Sequence, residues 1–291
     1  MGGVSAATVM IDGQIVPPEQ ARVSVFDRGF LYGDSVFESL RSYGGTLFAL
    51  GPHLARLERS AERVFIPLPV GLDVLRGEVE AAVLAHGSEE SYVRVMVTRG
   101  IGRSLGLDPE LAEHPLRVVL VTALQMPPPE LYERGIAAIT FRVERPSDAP
   151  SVADAKIGNY LLTVVALEAA RAQGAREALI EDSSGHILEG STSNVFAVIH
   201  DTLLTPPESS AILAGITRAR VIEIARAAGL SVALRAIPKS ELMTADEVFT
   251  SSSIRELVPV VKIDGHDVGS GTPGPVTREL LRLFRLAAAR G

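Results

Sequence analysis

The chain opens on short apolar runs separated by polar breaks. Residues 8–16 (Thr-Val-Met-Ile-Asp-Gly-Gln-Ile-Val) predict two strands joined at Asp12-Gly13, a dipeptide that accepts the positive φ of a tight hairpin. Over 52–64 the apolar spacing lengthens to that of a helix. Leu54, Leu57, Ala61 and Val64 fall on one stripe, and Arg56, Arg59 and Arg63 are assigned to the other face. A second amphipathic helix is expected over 72–86, and the β-branched runs 92–98 and 116–123 read as strands of one sheet. Pro127, Pro128 and Pro129 then remove three backbone donors and fix φ, so no regular ladder continues through them. They separate an expected N-terminal α/β domain, residues 1–123, from a C-terminal domain, residues 133–291, with 124–132 as a Pro-rich linker.

In the second half a strand is expected over 135–144 and a helix over 161–173. Hairpins follow over 178–189, around Asp182-Ser-Ser-Gly185, and over 195–204, around His200-Asp201. A helix over 217–228, strands over 247–250 and 258–263, and a helix over 277–290 complete the chain. Meandering strands with helices between them indicate α+β or mixed α/β layers, not a regular βαβ series.

Composition narrows the function classes. With 291 residues, 46% of them hydrophobic, the chain can fill one large core or two medium ones, which excludes a disordered protein. A formal charge of −7, no Trp and only 5% aromatics leave neither a basic groove nor a stacking platform for nucleic acid. No apolar run approaches the roughly 18 residues that span a bilayer. The N-terminal residues lack the basic and apolar regions of a secretory signal. Cysteine is absent, which removes disulfides, iron–sulfur clusters and thiol nucleophiles together. A cytoplasmic globular protein is the expectation.

Some motifs match on paper and fail in context. Gly269-Ser-Gly-Thr-Pro-Gly274 fits the dinucleotide pattern, but the acidic residue required about 20 positions later would lie beyond position 291. Gly102-Arg-Ser-Leu-Gly106 fits a nucleophile elbow, yet Pro109 interrupts the helix that an elbow must enter. The histidines show no zinc-ligand spacing, so no metal is expected. The acidic pairs Glu89-Glu90 and Glu181-Asp182 are read as solvated turn residues.

Lys156 is more informative. Only positions 156, 239 and 262 are lysine, and arginine supplies the rest of the 28 cations. Lys156 lies in Ala153-Asp-Ala-Lys-Ile-Gly-Asn-Tyr160, ahead of an apolar helix. An amine there is either an ordinary surface lysine or a group chosen because it can lose a proton and form an imine, which arginine cannot do. Glu189, between two apolar strands, is either a turn acid or a partner for a bound cation. Ala214-Gly-Ile-Thr217 opens a helix, and Thr250-Ser-Ser-Ser253 follows a strand. Each is either an anion cup or a simple cap.

Taken in order, these segments resemble the fold type IV pyridoxal-phosphate (PLP) enzymes, the class IV aminotransferases. The similarity runs nearly end to end. It includes Phe26-Asp-Arg-Gly-Phe-Leu-Tyr-Gly-Asp-Ser-Val-Phe-Glu38, His53-Leu-Ala-Arg-Leu-Glu-Arg-Ser60, Tyr92-Val-Arg-Val-Met-Val-Thr-Arg-Gly100, Lys156 with Asn159-Tyr160, Glu189-Gly-Ser-Thr-Ser-Asn-Val-Phe196, Gly215-Ile-Thr-Arg218 and Pro273-Gly-Pro-Val-Thr-Arg278. The resemblance implies a two-domain fold, with a smaller N-terminal α/β domain and a larger C-terminal PLP-binding domain built on a mixed, barrel-like sheet. It implies that Lys156 holds PLP as a Schiff base, Glu189 faces the pyridine nitrogen and Tyr160 the phenolic oxygen. Arg56, Ile216, Thr217, Ser251 and Ser252 would bind the phosphate, with Ser193 and Asn194 also at the cofactor. Arg56 thereby moves from a surface to a site assignment.

For substrate, Tyr32, Phe37, Arg41, Tyr92 and Arg94 resemble pocket positions of branched-chain aminotransferases. Phe30 and Ser253 join this expected set. Glu-Gly-Ser-Thr-Ser-Asn at 189–194 is closer to the D-amino-acid enzymes, and Arg103 lies near the position of their carboxylate-binding arginine. The histidine expected two residues later is Leu105, and the tyrosine after Arg28-Gly29 is Phe30. Arg28 and Arg99 are further carboxylate candidates, each with a structural alternative. The resemblance implies transamination between a hydrophobic, branched-chain-like amino acid and a 2-oxo acid such as 2-oxoglutarate or pyruvate, by a ping-pong route in a homodimer. A D-amino-acid transaminase with (R)-amine activity, an aminodeoxychorismate lyase and a non-catalytic PLP-binding protein are the alternatives.

Overall fold

The computed structural model describes residues 7–143 and 155–289, and within them two compact units. One unit contains the chain up to Gln125 together with Ala155–Asn159; the other contains the chain from Met126, and from Tyr160 onward. Ala153 and Asp154 of the lysine motif, and Glu144 and Arg290 at the ends of two expected elements, lie outside the described residues. So do residues 1–6 of the N-terminal segment.

In the first unit β1 (Thr8–Ile11) and β2 (Gln14–Val16) form the expected hairpin, with Asp12 and Gly13 both at positive φ. After α1 (Arg28–Tyr32) come β3 (Ser35–Tyr43), β4 (Thr46–Leu47), α2 (Leu50–Arg63), α3 (Leu72–His86), β5 (Ser91–Thr98), β6 (Ile101–Gly102), β7 (Ala112–Glu113) and β8 (Arg117–Ala123). Six strands make an antiparallel sheet in the order β2-β1-β8-β5-β3-β4. Its core face carries Val36, Leu40, Val93, Val95, Val97, Val119 and Val121, packed on Leu54, Leu57, Ala61, Leu75 and Val79 of α2 and α3.

Strand β3 has no counterpart among the sequence-based expectations. Its alternation is masked because Glu38 stands on the apolar face, where it is fully buried, between Val36 and Leu40. Arg56 is also corrected: it belongs to the buried side of α2, with His53 and Ser60, while Arg59 and Arg63 lie outside that buried set. Residues 156–158 extend the sheet beside β3. Phe37 N donates to Lys156 O (3.0 Å), Gly158 N donates to Ser35 O (2.8 Å), and Val36 bridges Ile157.

The second unit contains α4 (Glu130–Glu133), β9 (Ile136–Arg142), α5 (Leu161–Ala172), β10 (Glu177–Glu181), β11 (His186–Gly190), β12 (Asn194–Ile199), β13 (Thr202–Thr205), α6 (Ile216–Ala227), β14 (Ser231–Leu234), β15 (Ile237–Pro238), α7 (Lys239–Leu242), β16 (Glu247–Ser252), β17 (Glu256–Ile263), β18 (His266–Asp267) and α8 (Pro275–Ala288). Ten strands form one mixed sheet in the order β14-β13-β12-β16-β17-β9-β10-β11-β15, with β18 on β17. The pairs β9–β10, β9–β17 and β13–β14 are parallel. Gly274 opens α8, whose first amides donate to Glu247, so the dinucleotide-like segment is a capped turn. The fold class is therefore mixed α/β, a small antiparallel sheet followed by a larger mixed one.

Candidate active site

Strand alternation sorts the side chains of β3 and β5. Phe37, Ser39 and Arg41 stand opposite Met96, Arg94 and Tyr92, so these six share the sheet face away from the core. The Tyr92 and Ser39 hydroxyls are 3.3 Å apart. The Arg94 guanidinium carbon lies 4.0 Å from the Phe37 ring centroid, and Lys156 Nζ lies 4.5 Å from the same centroid. Lys156 is half-buried, and its backbone amide donates to Ser60 Oγ of α2 at 3.1 Å. Lys156 thus stands on a defined edge of the sheet with an aromatic ring beside its amine.

Behind β3 lies a charged cluster. Glu38 accepts from Arg56 Nε (2.6 Å), Arg56 Nη2 (2.7 Å) and His53 Nδ1 (2.7 Å), all in the buried interior. Burial pushes the Glu38 carboxyl up, but the hydrogen bonds and charge of Arg56, helped by His53, outweigh it and bring the pKa down to about 2. Burial pushes the His53 imidazole below its ordinary value despite Glu38, and the nearby charges of Arg56 and Lys156 act in the same direction. Glu38 and His53 were not singled out from the sequence. A charge placed between two apolar strand positions, with a helix carrying His, Arg and Ser at three- and four-residue spacing, is the signal that points to them.

The other arginines are committed differently. Arg28 is buried and engages four oxygens: Asp34 Oδ2 (2.9 Å) and the carbonyls of Gly106 (2.8 Å), Leu107 (3.0 Å) and Asp108 (3.3 Å). Arg99 joins Asp34 (2.7 Å) to the carbonyls of Val64 (2.7 Å) and Phe65. Both arginines clamp loops, which is the structural alternative of the sequence reading. Burial raises the Asp34 pKa, yet hydrogen bonds from Arg99 and Arg28 leave it lowered overall. Arg41 pairs with Glu90 at 2.8 Å and lies over Tyr43, so Glu90 is not simply solvated; Glu181 likewise faces Lys239. Arg103 is exposed and pairs with Glu113 (3.0 Å). Phe30 is exposed, and the Tyr32 hydroxyl accepts from Gly106 N (3.2 Å). Strand β6 leads into bends and a single 3-10 turn at Pro109–Leu111, not into the helix that a nucleophile elbow requires.

The second unit assembles its own constellation. Glu189 Oε2 accepts from Leu213 N (3.1 Å), and Asn194 Nδ2 donates to Leu213 O (2.9 Å). Both groups hold the segment that runs through Gly215 into α6. A Cβ on Gly215 would collide with Asn194 Oδ1, so only glycine permits this approach. Asn194 pairs across the sheet with Ser251. Ser252 Oγ accepts from Arg255 N (3.3 Å), and Ser253 follows in the same turn. Tyr160 stands at the N-terminal boundary of α5.

Thr217 Oγ1, in the first turn of α6, and Ser251 Oγ, at the end of β16, are buried and have no hydrogen-bond partner among the described residues. Buried hydroxyls without partners are uncommon because each forfeits its hydration. With the unpaired amides of a helix N-terminus they suit an anion.

Glu177 was missed from the sequence. Fully buried, it accepts from Ser191 N (3.0 Å), Ser191 Oγ, Ser193 Oγ (3.2 Å) and Arg255 Nη2 (2.7 Å), which ties down the turn between Glu189 and Asn194.

Comparison with known proteins agrees with this chemistry. The family model described as amino-transferase class IV matches residues 35–263. A putative branched-chain-amino-acid aminotransferase of Methanocaldococcus jannaschii is 38% identical over 278 residues, 95% of each chain. A D-alanine aminotransferase of Bacillus licheniformis is 34% identical over 281 residues, 94% of each. The crystal structure of the T.th. branched-chain amino acid aminotransferase with pyridoxamine 5'-phosphate superposes with a TM-score of 0.92 at 31% identity, covering 97% of this chain and 94% of that one. The chain belongs to the class IV aminotransferases, a family of PLP-dependent enzymes.

Proposed function

We propose that the protein is a transaminase that moves the amino group of a hydrophobic, branched-chain-like amino acid to a 2-oxo acid, with PLP held by Lys156. The observation that carries this reading is the pair of buried hydroxyls, Thr217 Oγ1 and Ser251 Oγ, left without partners in a member of this family. A phosphate supplies the acceptors that both lack. When bound, PLP supplies an electron sink for the negative charge that develops at the substrate Cα. The carboxylate of Glu189 pairs with the protonated pyridine nitrogen, and Tyr160 donates to the phenolic oxygen. Ile216, Thr217, Ser251, Ser252 and Arg56 anchor the phosphate, with Ser193 and Asn194 shaping the adjoining turn.

Lys156 would hold the cofactor aldehyde through its ε-amine, and the same amine, once free, would accept the Cα proton of the substrate. Release of the first 2-oxo acid before the second one binds gives ping-pong kinetics. Phe37, Tyr92 and Arg94 offer an apolar and cationic face to the substrate. The exposed apolar residues Leu161, Leu162, Val164 and Val165 of α5 support a homodimer. Borohydride treatment of the loaded protein, followed by peptide mapping, is expected to find the cofactor on Lys156. Labelling at Lys239 or Lys262 would sink the assignment.

The Bacillus relative and the exposed Arg103 favour a second reading, transamination of D-amino acids. Loss of the aldehyde absorbance on mixing with L-leucine, D-alanine or an (R)-arylamine separates the readings. L-leucine is expected to react, and a reaction confined to D-alanine refutes the branched-chain assignment.

A further inference from the structure

The buried cluster behind β3 has a role that burial alone does not explain. A carboxylate–guanidinium pair in the interior loses the hydration of both ions, and an apolar pair of similar volume often replaces it without loss of stability. Position 38 lies between Val36 and Leu40 on the core face, where an apolar residue would pack. A carboxylate stands there instead, meeting the Nε and Nη2 donors of Arg56 in a two-pronged contact at 2.6 and 2.7 Å. Such a fork fixes the plane of the guanidinium as well as its position. His53 adds a third donor to the same carboxylate, so Glu38 is tied to α2 at two successive turns.

The same helix is registered against Lys156. Ser60, four residues after Arg56 and on the same side of α2, accepts from the Lys156 amide. Strand β3 meets that segment through Phe37 N and Lys156 O. We propose that Glu38 is a positioning residue of the transamination site, a buried carboxylate that fixes the guanidinium of Arg56 relative to Lys156 and keeps it ready for the cofactor phosphate. This rests on the reading of Arg56 as a phosphate ligand given above. Glu38 touches neither substrate nor cofactor in this scheme; it acts through Arg56.

The test uses the full-length protein stripped of cofactor, titrated with PLP and, separately, with pyridoxal, which has the aldehyde but no phosphate. Binding is followed by the absorbance of the lysine-bound form. In E38Q the preference for PLP over pyridoxal is expected to fall about tenfold, with pyridoxal affinity unchanged. Arg56→Ala is expected to lose at least as much, and the double variant E38Q/R56A no more than R56A alone, since the two act as one unit. Glu38→Asp, which keeps the charge on a shorter stem, is expected to lie between E38Q and wild type, and it serves if E38Q does not fold.

A merely structural role weakens PLP and pyridoxal together, and that result overturns the proposal. So does an unchanged or stronger preference for PLP, the outcome expected if Glu38 acted only by cancelling the charge of Arg56. A wild-type protein that takes up neither compound overturns the functional reading as well, whereas normal uptake with an indifferent E38Q overturns this inference alone.

Discussion

Two hydroxyls, Thr217 Oγ1 and Ser251 Oγ, carry opposite consequences for stability and binding. A buried hydroxyl without a partner keeps its desolvation cost in the cofactor-free protein, on the order of 1 kcal/mol or more. Ser251→Ala and Thr217→Val are therefore expected to leave the cofactor-free protein as stable as wild type or stabilise it by about 1 kcal/mol, while weakening PLP binding. Chemical denaturation and cofactor titration on the same samples check both halves. Arg28 is the converse case, since its guanidinium already has four acceptors. Arg28→Ala strands three carbonyls and leaves Asp34 with Arg99 alone, and a loss of about 3 kcal/mol in unfolding free energy is expected from chemical denaturation. From sequence alone Arg28, Arg99 and Arg103 are indistinguishable as carboxylate candidates, as are Arg41 and Arg94 as pocket residues. Only their partners tell a loop clamp from a side chain on an aromatic face.

At the level of elements, the turn from β11 to β12 shows how a short motif is held. Gly190 N donates to Ser193 O at 2.7 Å, and a Cβ on Gly190 would collide with Ser193 Oγ. Glu177, on the neighbouring β10, accepts from Ser191 and Ser193 of the turn. Glu177→Gln keeps the shape but replaces an acceptor oxygen with a donor amide facing Arg255 and the serines. A destabilisation of about 2–4 kcal/mol is expected, with increased hydrogen exchange at Ser191 and Gly190. The helices α2, α3 and α5, and the hairpins at Asp12-Gly13 and 182–185, were legible from spacing and turn residues. Strand β3 was not, because its core face holds a carboxylate whose partners come from a helix later in the chain.

For the whole molecule, the Glu38 and His53 shifts set an acid limit. Glu38 has a folded pKa of about 2 against an ordinary 4.5, so its contribution of about 3 kcal/mol is present above pH 4.5 and is lost as the pH falls towards 2. The lowered pKa of His53 works in the same direction at higher pH. Below about 6.5 the unfolded chain takes up a proton that the folded one refuses, so stability declines on acidification and is restored above that point. Calorimetry from pH 8 to pH 5 is expected to show a flat midpoint down to about pH 6.5 and a fall below it. The fall is expected to be shallower in His53→Gln.

The sequence by itself determined the family and most element positions, because turn chemistry, apolar period and ordered motifs are local properties, and it is the source of the proposal that Lys156 is the reactive lysine. Which cations are spent on loops, which hydroxyls are left unpaired and which acids stand behind the site were decided by tertiary structure. Those facts depend on burial and on partners far apart in the chain, 80 positions between Arg28 and Asp108 and 96 between Ser60 and Lys156. A carboxylate such as Glu38 reads as a solvated residue until the guanidinium and imidazole that enclose it are brought beside it.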